Sequence, residues 1–336
     1  MAIFDFRTDV AIDLGTANTL IYVRGQGVVL NEPSIVAVDS ATRKMIAVGK
    51  EALQMHERTH KRIETIWPLQ DGVIADFEVA EQLIRGLIAK LRKGWLSSIR
   101  QMVICIPSGI TPVERRAVHD SAEHAGAKKV YLIAEPMAAA IGIGLNIVEP
   151  QGNMIVDIGG GTTEIAVIAL SGICVDESIR VAGNELDNAI LSYFKRYHNL
   201  MIGQRTAERI KREVGSAVPR EQELEAEVKG RDMSTGIPQI KSITSEDVRA
   251  AIREVVEQII TAVWRCLERT PPELGADVLE RGIMLTGGGA QLNGMDVVIK
   301  NRVNIPVHKV DNPLEAVVQG TGIVLENINK YNNIFL

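Results

Sequence analysis

The sequence predicts an α/β fold built from two similar halves, and three observations favour it. Apolar segments of strand length alternate with helical patterns, which indicates strands layered with helices. A glycine-rich turn between two apolar strands occurs twice, at 13–19 (DLGTANT) and at 157–164 (DIGGGTTE). No low-complexity linker divides the 336 residues, a length sufficient for about two domains with full cores.

Both turns have the composition of a phosphate-binding loop. Glycine lets backbone N–H groups approach phosphate oxygens, and threonine and asparagine add side-chain donors. Asp13 and Asp157 precede the turns, and each is expected to hold the Mg²⁺ of a nucleotide through water; the alternative is a carboxylate that caps its own turn. Two facing turns would clamp one triphosphate through Gly15, Thr16, Ala17 and Asn18 on one side and Gly159, Gly160, Gly161 and Thr162 on the other.

A third glycine-rich segment follows the apolar residues 282–285 and precedes a periodic apolar stretch at 292–303. Its exposed backbone would suit a purine or a ribose. Any one of these runs alone is more often a plain turn, but the three in this order favour a nucleotide site. The expected contacts in the third run are Gly287, Gly288, Gly289, Ala290 and Gln291.

Signals at segment ends place the elements between these runs. After the strand 102–106, Thr111 and Glu114 form a capping box with a proline between them, which predicts a helix start. The strand 130–133 is followed by a helix beginning at Glu135, and ligands of open α/β sheets lie at such carboxyl ends of strands. Further on, we expect helices at 185–197 and 206–214, a polar strand-like stretch at 225–243, and a long amphipathic helix capped by Thr244 with Asp247.

Each half is expected to carry a smaller insertion, at 34–66 in the first half and at 183–243 in the second. The first half then comprises 1–33, 67–144 and 316–336, and the second comprises 145–182 and 244–315. Short helices near 138–144 and 316–325 are expected to cross between the halves and form the hinge.

Composition excludes several classes of function. A net charge of −5, a pI near 5.8 and the lack of a long basic run give no electrostatic reason to expect nucleic acid as a partner. Cys105, Cys174 and Cys266 are odd in number and widely spaced, which indicates neither disulfides nor zinc and favours a reducing cytoplasm. No apolar run reaches the roughly 18 residues that span a bilayer, and no signal-peptide pattern opens the chain, so any membrane contact is expected to be peripheral.

Several runs resemble one known family over nearly the whole chain. They are NEPS at 31–34, DGVIAD at 71–76, PVERRA at 112–117, EPMAAA at 135–140, ERIK at 208–211 and TPPEL at 270–274. With the glycine turns, they resemble the actin, sugar-kinase and heat-shock-chaperone ATPase superfamily and, within it, the MreB family of bacterial actins. The resemblance implies an actin-like fold of two duplicated ATPase-type domains, each with a smaller inserted subdomain, and ATP with Mg²⁺ in the cleft between them.

The resemblance also implies roles for single residues. Glu135 looks like the residue that orients or activates the water attacking the γ-phosphate, with Thr163 and Asp157 assisting; the alternative is a carboxylate favoured by the helix dipole. Glu208, Arg209, Ile210 and Lys211 resemble the segment that contacts the ribose and the base. Without the resemblance, Glu208 and Lys211 would be an ordinary surface ion pair on one helical face.

The function implied is a filament-forming cytoskeletal ATPase that organises cell-wall synthesis and maintains rod shape. Its implied partners are further copies of itself, the inner membrane surface, and cell-wall elongation and membrane-spanning morphogenesis proteins. A sugar or acid kinase is the alternative, although no convincing substrate base is found; a chaperone ATPase would need a peptide-binding domain, for which the end of the chain leaves no room. Walker and dinucleotide motifs do not occur.

Two aromatic clusters are candidates for membrane contact. Trp95 and Leu96 follow the basic pair at 92–93, and Phe4 and Phe6 lie near the N-terminus. Aromatic side chains usually pack into the core, which is the alternative. Members of the family that this chain resembles touch the inner membrane through a loop at the corresponding place, so we expect these four residues to do the same.

Overall fold

The computed structural model describes residues 7–56, 58, 60–91 and 98–336. The chain divides into two compact units, one of Met1–Gln151, Ile168–Cys174 and Leu314–Leu336 and one of Gly152–Val167 and Val175–Pro313. Strands and helices alternate in both, as the sequence predicts. The finer division into two halves with two insertions stays a prediction.

The first part of the chain contains ten strands and four helices among its described residues. In chain order they are β1 (Arg7–Leu14), β2 (Asn18–Val23), β3 (Gly27–Pro33), β4 (Val36–Asp39), β5 (Met45–Val48), α1 (Lys50–Met55), β6 (Ile63–Ile66), β7 (Leu69–Gln70), β8 (Val73–Ile74), α2 (Phe77–Leu91), β9 (Ser98–Ile106), α3 (Pro112–His124), β10 (Ala127–Ala134) and α4 (Glu135–Gly142).

The rest of the chain continues the alternation. It contains β11 (Asn153–Ile158), β12 (Thr163–Ala169), β13 (Gly172–Ile179), α5 (Gly183–Tyr197), β14 (Leu200–Met201), α6 (Gln204–Val214), β15 (Glu225–Asp232), β16 (Pro238–Thr244), α7 (Ser245–Arg269), α8 (Pro272–Arg281), β17 (Ile283–Thr286), α9 (Met295–Val303), β18 (Val307–Lys309) and α10 (Ala316–Glu326). Short 3₁₀ helices lie at Gly288–Gln291 and Asn332–Ile334.

A five-stranded sheet organises the first unit, in the order β10-β9-β1-β2-β3. β1 pairs antiparallel with β2 and parallel with β9, so the first glycine turn joins two neighbouring strands. Apolar side chains of this sheet and of α2 and α3 form one core. The segment between β3 and β7 carries a separate sheet in the order β5-β4-β6.

A second five-stranded sheet has the order β13-β12-β11-β17-β18. β11 pairs parallel with β17, and β17 pairs parallel with β18. The polar stretch predicted as strand-like forms β15 and β16 of a three-stranded sheet with β14. The long helix α7 lies against the second core and buries one apolar stripe, which contains Val248, Ile252, Val255, Val256, Ile259, Ile260 and Val263.

The predicted helix starts are confirmed where local chemistry defines them. Thr111 and Glu114 form a complete capping box with Pro112 at the first helical position, and Thr244 and Asp247 form another at the start of α7. The apolar stretch at 292–303 becomes helical only at Met295. The preceding 3₁₀ turn and Gly294 in the left-handed region, at φ 74°, delay the helix.

The two predicted crossing helices are present as α4 and α10, and they pack against each other through glycines. A Cβ atom on Gly142 would overlap the carbonyl oxygen of Ala316, and one on Gly320 would overlap that of Ala138. The two backbones therefore approach more closely than any larger residue permits. Their role as a hinge stays a prediction.

Within the described residues, no helix combines the length and the apolar character that crossing a bilayer requires.

Candidate functional site

In the first unit, the site is built at the carboxyl ends of β1 and β9. Asp13 lies opposite Cys105 in the parallel register, and the Cys105 Sγ is 3.3 Å from the Asp13 Oδ1. The turn that follows Asp13 is tight, because a Cβ on Gly15 would lie 2.7 Å from the carbonyl oxygen of Asn18. The carboxylate and the turn therefore form one compact group at the sheet edge.

Polar contacts from neighbouring loops fix this first turn. The Ser34 hydroxyl donates to the carbonyl of Gly15 at 2.6 Å, and the Ser34 amide donates to the carbonyl of Ala17 at 3.0 Å. The Thr16 hydroxyl accepts a hydrogen bond from the amide of Gly72 at 2.9 Å. The carbonyl groups of Gly15 and Ala17 thus accept hydrogen bonds from within the protein. This arrangement favours a turn whose amides are directed toward a ligand.

The electrostatics around Asp13 are unusual for a carboxyl group. Burial raises the pKa of Asp13 from its ordinary 3.8 to about 6, and the hydrogen bond from Cys105 opposes that rise. Burial, followed by the charges of Asp13 and Glu135, raises the pKa of the Cys105 thiol well above its ordinary value. The thiol is therefore protonated and donates, while Asp13 is ionised at neutral pH.

Glu135 lies at the carboxyl end of β10, as the first residue of α4. It is half-buried and close enough to Cys105 for their electrostatic interaction to affect the thiol. Asp13 contacts the Cys105 thiol directly, and the charge of Glu135 raises the pKa of the same thiol. The role of Glu135 toward an attacking water stays a prediction.

In the second unit, Asp157 occupies the corresponding place near the end of β11, and only 6% of the residue is exposed. The turn after it closes with a hydrogen bond from the Gly159 amide to the Thr162 carbonyl at 2.9 Å. The Thr163 hydroxyl donates to the Val181 carbonyl at 2.7 Å. Assistance of an attacking water by Thr163 stays a prediction, and it would require this hydroxyl to exchange its backbone partner.

The third glycine run packs directly against Asp157. Gly287 has φ 81°, and a Cβ there would overlap the Asp157 Oδ1, while a Cβ on Gly289 would overlap the Ile158 side chain. Two of these glycines are therefore required by the protein's own packing. Contacts of this run, Gly287, Gly288, Gly289, Ala290 and Gln291, with a purine or ribose stay a prediction.

The helices α5 and α6 support the second turn. The amides of Gly183 and Asn184, at the start of α5, donate to the carbonyls of Gly159 at 3.1 Å and Gly160 at 2.8 Å. From α6, the Lys211 ammonium donates to the Gly183 carbonyl at 2.8 Å. These contacts connect α6 to the turn through the first residues of α5.

Lys211 also forms an ion pair with Asp187 at 2.9 Å, and both side chains are largely buried. Burial raises the pKa of Asp187 to about 6, and Lys211 opposes that rise. Ile210 is fully buried, whereas Glu208 forms an exposed pair with Arg212 and Arg209 one with Glu213. Contact of the segment 208–211 with ribose and base stays a prediction.

Three residues near the site were missed by the sequence analysis: Cys105, Asp187 and Thr286. Asp187 had one usable signal, because it is a lone charged residue among the apolar positions that α5 buries. No sequence signal pointed to Cys105 and Thr286, because only the register of the parallel strands brings them beside Asp13 and Asp157. The predicted membrane residues Phe4, Phe6, Trp95 and Leu96 lie outside the described residues.

The donor chemistry fits Mg²⁺. Asp13 and Asp157 are each the second-to-last residue of a strand and precede a glycine turn. Mg²⁺ prefers such oxygen ligands and keeps several waters. His119, Asp120 and Glu123 on α3 also place their ligand atoms within 4.8 Å of one another, but on an exposed helix face of the kind that is common without an ion.

Two sheets, each with a strand-turn-strand whose first strand carries an aspartate one residue before its end, are the arrangement of an actin-like protein. The MreB/Mbl protein family profile matches residues 7–333, so the chain belongs to the MreB/Mbl family. The chain is 49% identical to the cell shape-determining protein Mbl of Bacillus subtilis strain 168 over 325 residues, covering 97% of this chain and 98% of that one. It is 46% identical to the cell shape-determining protein MreB of Escherichia coli K12 over 331 residues, covering 97% and 95%.

Among solved structures, the crystal structure of MreB5 of Spiroplasma citri bound to ADP is similar to this chain. It has a TM-score of 0.91 and 39% sequence identity, and the match covers 98% of each chain. The predicted actin-like fold and the family resemblance are confirmed. The names of the curated relatives favour the cytoskeletal function over the sugar or acid kinase.

Proposed function

We propose that this chain is a cytoskeletal ATPase that polymerises into actin-like filaments and maintains rod cell shape by organising cell-wall synthesis. The observation that carries the proposal is the pair of strand-end aspartates, Asp13 and Asp157, each followed by a glycine turn on the MreB/Mbl scaffold. The related MreB5 structure was solved with ADP, which supports a nucleotide as the ligand.

In this proposal the two turns bind the phosphates of ATP through backbone amides. Asp13 and Asp157 would hold a hydrated Mg²⁺, which would supply positive charge against the phosphate oxygens. Asp13 suits this work because its pKa of about 6 keeps it ionised at neutral pH. The attraction to a cation would lower that pKa further.

Glu135 orients the attacking water and accepts its proton on a carboxylate oxygen. Phosphoryl transfer depends on positioning and charge stabilisation more than on covalent help, so one well-placed carboxylate suffices. Rigid support for Glu135 comes from α4, which packs against α10 through Gly142 and Gly320.

The filament forms by head-to-tail stacking of identical subunits through an interface that does not close into a ring. We place the filament peripherally on the inner face of the cell membrane, in contact with cell-wall elongation and membrane-spanning morphogenesis proteins. Trp95, Leu96, Phe4 and Phe6 are the proposed membrane contacts, and the net charge of −5 does not favour nucleic acid.

Electron microscopy of the purified full-length chain tests this function. Filaments are expected with ATP and Mg²⁺, and few or none are expected with the Asp157→Ala variant, because its second turn lacks the carboxylate that faces the metal. A wild-type protein that stays monomeric and instead phosphorylates sugars or small acids would overturn the proposal. The Cys174→Ser variant, altered at an exposed thiol, serves as the matched control and is expected to form filaments normally.

A further inference from the structure

Cys105 and Thr286 occupy equivalent positions in the two units. β1 and β11 carry the aspartates of the duplicated turns, and each pairs in parallel with a strand from later in the chain, β9 and β17 respectively. Asp13 and Cys105 are the last matched residues of the β1–β9 pair, and Asp157 and Thr286 are the last matched residues of the β11–β17 pair. Matched residues of parallel neighbours point to the same face of a sheet.

In the first unit the contact between the two side chains is formed. The Cys105 thiol lies 3.3 Å from the Asp13 Oδ1 and 3.6 Å from the Ile12 carbonyl oxygen. Cys105 is 1% exposed, so the thiol has no solvent to turn toward. One Asp13 oxygen is thereby engaged, and rotation of the carboxylate is restricted.

In the second unit the equivalent donor is the hydroxyl of Thr286, and it forms no hydrogen bond to Asp157 in this structure. Thr286 is 0% exposed, and its hydroxyl has no hydrogen-bond partner among the described residues. The next residue, Gly287, lies so close to Asp157 that a Cβ there would overlap the Oδ1. Buried hydroxyl groups are rarely left without a partner, and a hydroxyl hydrogen rotates to suit whichever acceptor is present.

We propose that Cys105 and Thr286 are positioning residues for the two metal-facing carboxylates, an inference that rests on the proposed function. The thiol of Cys105 fixes one oxygen of Asp13, so that the other faces the hydrated Mg²⁺. The hydroxyl of Thr286 donates the equivalent bond to Asp157, or to the water that Asp157 holds, when the metal and nucleotide are bound. Such outer partners orient metal-binding carboxylates and raise metal affinity.

The test is a titration of Mg²⁺ into the full-length protein saturated with ATP, with bound metal measured by calorimetry. Cys105→Ala and Thr286→Val are each expected to weaken Mg²⁺ binding about tenfold, because both remove only the donor. Cys105→Ser and Thr286→Ser keep a donor and are expected to restore affinity to within about threefold of wild type. ATP binding measured with a chelator present is expected to stay unchanged in all four variants.

Cys266→Ala is the matched control, since Cys266 is also a fully buried thiol but belongs to α7 in the second core. It creates a cavity of similar size and is expected to leave Mg²⁺ affinity unchanged. Circular dichroism establishes that each variant is folded; if Thr286→Val is not, Thr286→Ala takes its place with the same expected loss.

Three outcomes separate this inference from the function on which it rests. Unchanged Mg²⁺ affinity in Cys105→Ala and Thr286→Val, with a loss in Asp157→Ala, would overturn the positioning role and leave the ATPase proposal standing. Equal losses in the serine and the alanine or valine variants would show that packing, not hydrogen bonding, matters, and would also overturn it. A wild-type protein without Mg²⁺-dependent ATP binding would refute the proposed function itself.

Discussion

Lys211 on α6 and Asp187 on α5 form an ion pair with 2.9 Å between Nζ and Oδ1, and 16% and 6% of the two side chains remain exposed. The same ammonium donates to the carbonyl of Gly183, whose amide donates in turn to Gly159 in the second glycine turn. The Lys211 ammonium therefore connects α5 with α6 and supports the second glycine turn through Gly183. This pair is a structural support for the proposed phosphate site.

We expect Lys211→Met to destabilise the protein by about 3 kcal/mol, because it leaves the buried carboxyl of Asp187 without its cation. The free energy of unfolding, measured with urea, reports this loss. Without Lys211, the pKa of Asp187 rises beyond its present value of about 6. A carboxyl with a raised folded-state pKa does not weaken folding below its unfolded-state pKa, where it is protonated in both states. As pH rises from there through the folded-state pKa, its ionisation increasingly destabilises the folded protein. The penalty of Lys211→Met is therefore expected to be larger at pH 8 than at pH 5.

The matched control is Arg212→Met on the same helix, where Arg212 and Glu208 form an exposed pair at 3.8 Å. Exposed pairs contribute roughly 0 to 1 kcal/mol, so this variant is expected to unfold close to wild type. If Lys211→Met also unfolds close to wild type, or if its penalty is the same at both pH values, Lys211 does not compensate a buried charge.

Asp13→Asn is expected to stabilise the protein in the absence of nucleotide. Burial raises the Asp13 pKa from 3.8 to about 6, so ionising Asp13 in the folded state has a free-energy cost at neutral pH. At 1.36 kcal/mol per pKa unit, this cost is at most about 3 kcal/mol, and asparagine avoids it. The gain in unfolding free energy is expected at pH 7 and should shrink as the pH falls from 6 to 4, because the folded-state carboxyl is then protonated and the unfolded one approaches its pKa of 3.8.

Urea unfolding of both proteins across that pH range measures the difference. Mg²⁺-dependent ATP binding is expected to fall in the same variant, because asparagine has no charge to hold a hydrated cation. A variant less stable than wild type at pH 7 would contradict the assigned cost of burying this carboxylate.

Two Gly→Ala substitutions are expected to have opposite effects on stability, because one glycine lies in the tight contact between α4 and α10 and the other lies in open space on α8. Gly320→Ala is expected to cost about 3 kcal/mol or more, because its Cβ would overlap the backbone oxygen of Ala138, which cannot move aside like a side chain. Gly275→Ala on α8 meets nothing within 4 Å and is expected to stabilise the helix by about 0.5 to 1 kcal/mol. A thermal unfolding midpoint of Gly320→Ala at or above that of wild type would show that the α4–α10 contact is not tight.

The sequence predicted those parts of the fold that local chemistry determines. Thr111 with Glu114 and Thr244 with Asp247 satisfy free amides at helix starts within four residues, so both helix starts were visible in the sequence. The alternation that indicates an α/β fold is also local in origin.

Tertiary contacts account for what the sequence analysis missed. Spacing along α6 pointed to Glu208 as the neighbour of Lys211, but the structure pairs Lys211 with Asp187 on a different helix. A largely buried ammonium needs a largely buried partner, and helical spacing alone does not identify it. The contact between Cys105 and Asp13 likewise depends on strand register, which no short segment encodes.

Glu135→Ala is expected to bind ATP and form filaments but to release phosphate at least roughly a hundredfold more slowly. Glu135 is proposed to act on the attacking water and not to bind the nucleotide in the ground state. The substitution should therefore slow only the hydrolysis step. Phosphate release normalised to polymer mass is the measurement. Glu149→Ala, at an exposed carboxylate whose Oε1 accepts a hydrogen bond from Asn146, is the control and should hydrolyse at the wild-type rate. Wild-type phosphate release by Glu135→Ala would remove this residue from the mechanism.

Filaments are expected to bind anionic vesicles through Trp95 and Leu96, whereas single subunits bind them only weakly. Burying one tryptophan and one leucine contributes about 3 to 6 kcal/mol before ordering costs, which corresponds to millimolar affinity at best. Stacked subunits multiply the attachment points, so a filament binds far more tightly than its subunits. Co-sedimentation with vesicles should therefore be lost in a Trp95→Ser, Leu96→Ser double variant under conditions where filaments still assemble.

The matched control for this experiment is a Trp264→Ser, Leu279→Ser double variant, because these two residues are 50% and 56% exposed and belong to α7 and α8. It replaces one exposed tryptophan and one exposed leucine by serine and is expected to pellet with vesicles like wild type. Equal losses in both double variants would indicate non-specific adhesion of apolar surface. If the Trp95→Ser, Leu96→Ser variant still pellets with vesicles, these two residues are not the membrane anchor. The N-terminal pair, Phe4 and Phe6, would then be the next candidate, and serine variants of that pair would be expected to abolish co-sedimentation.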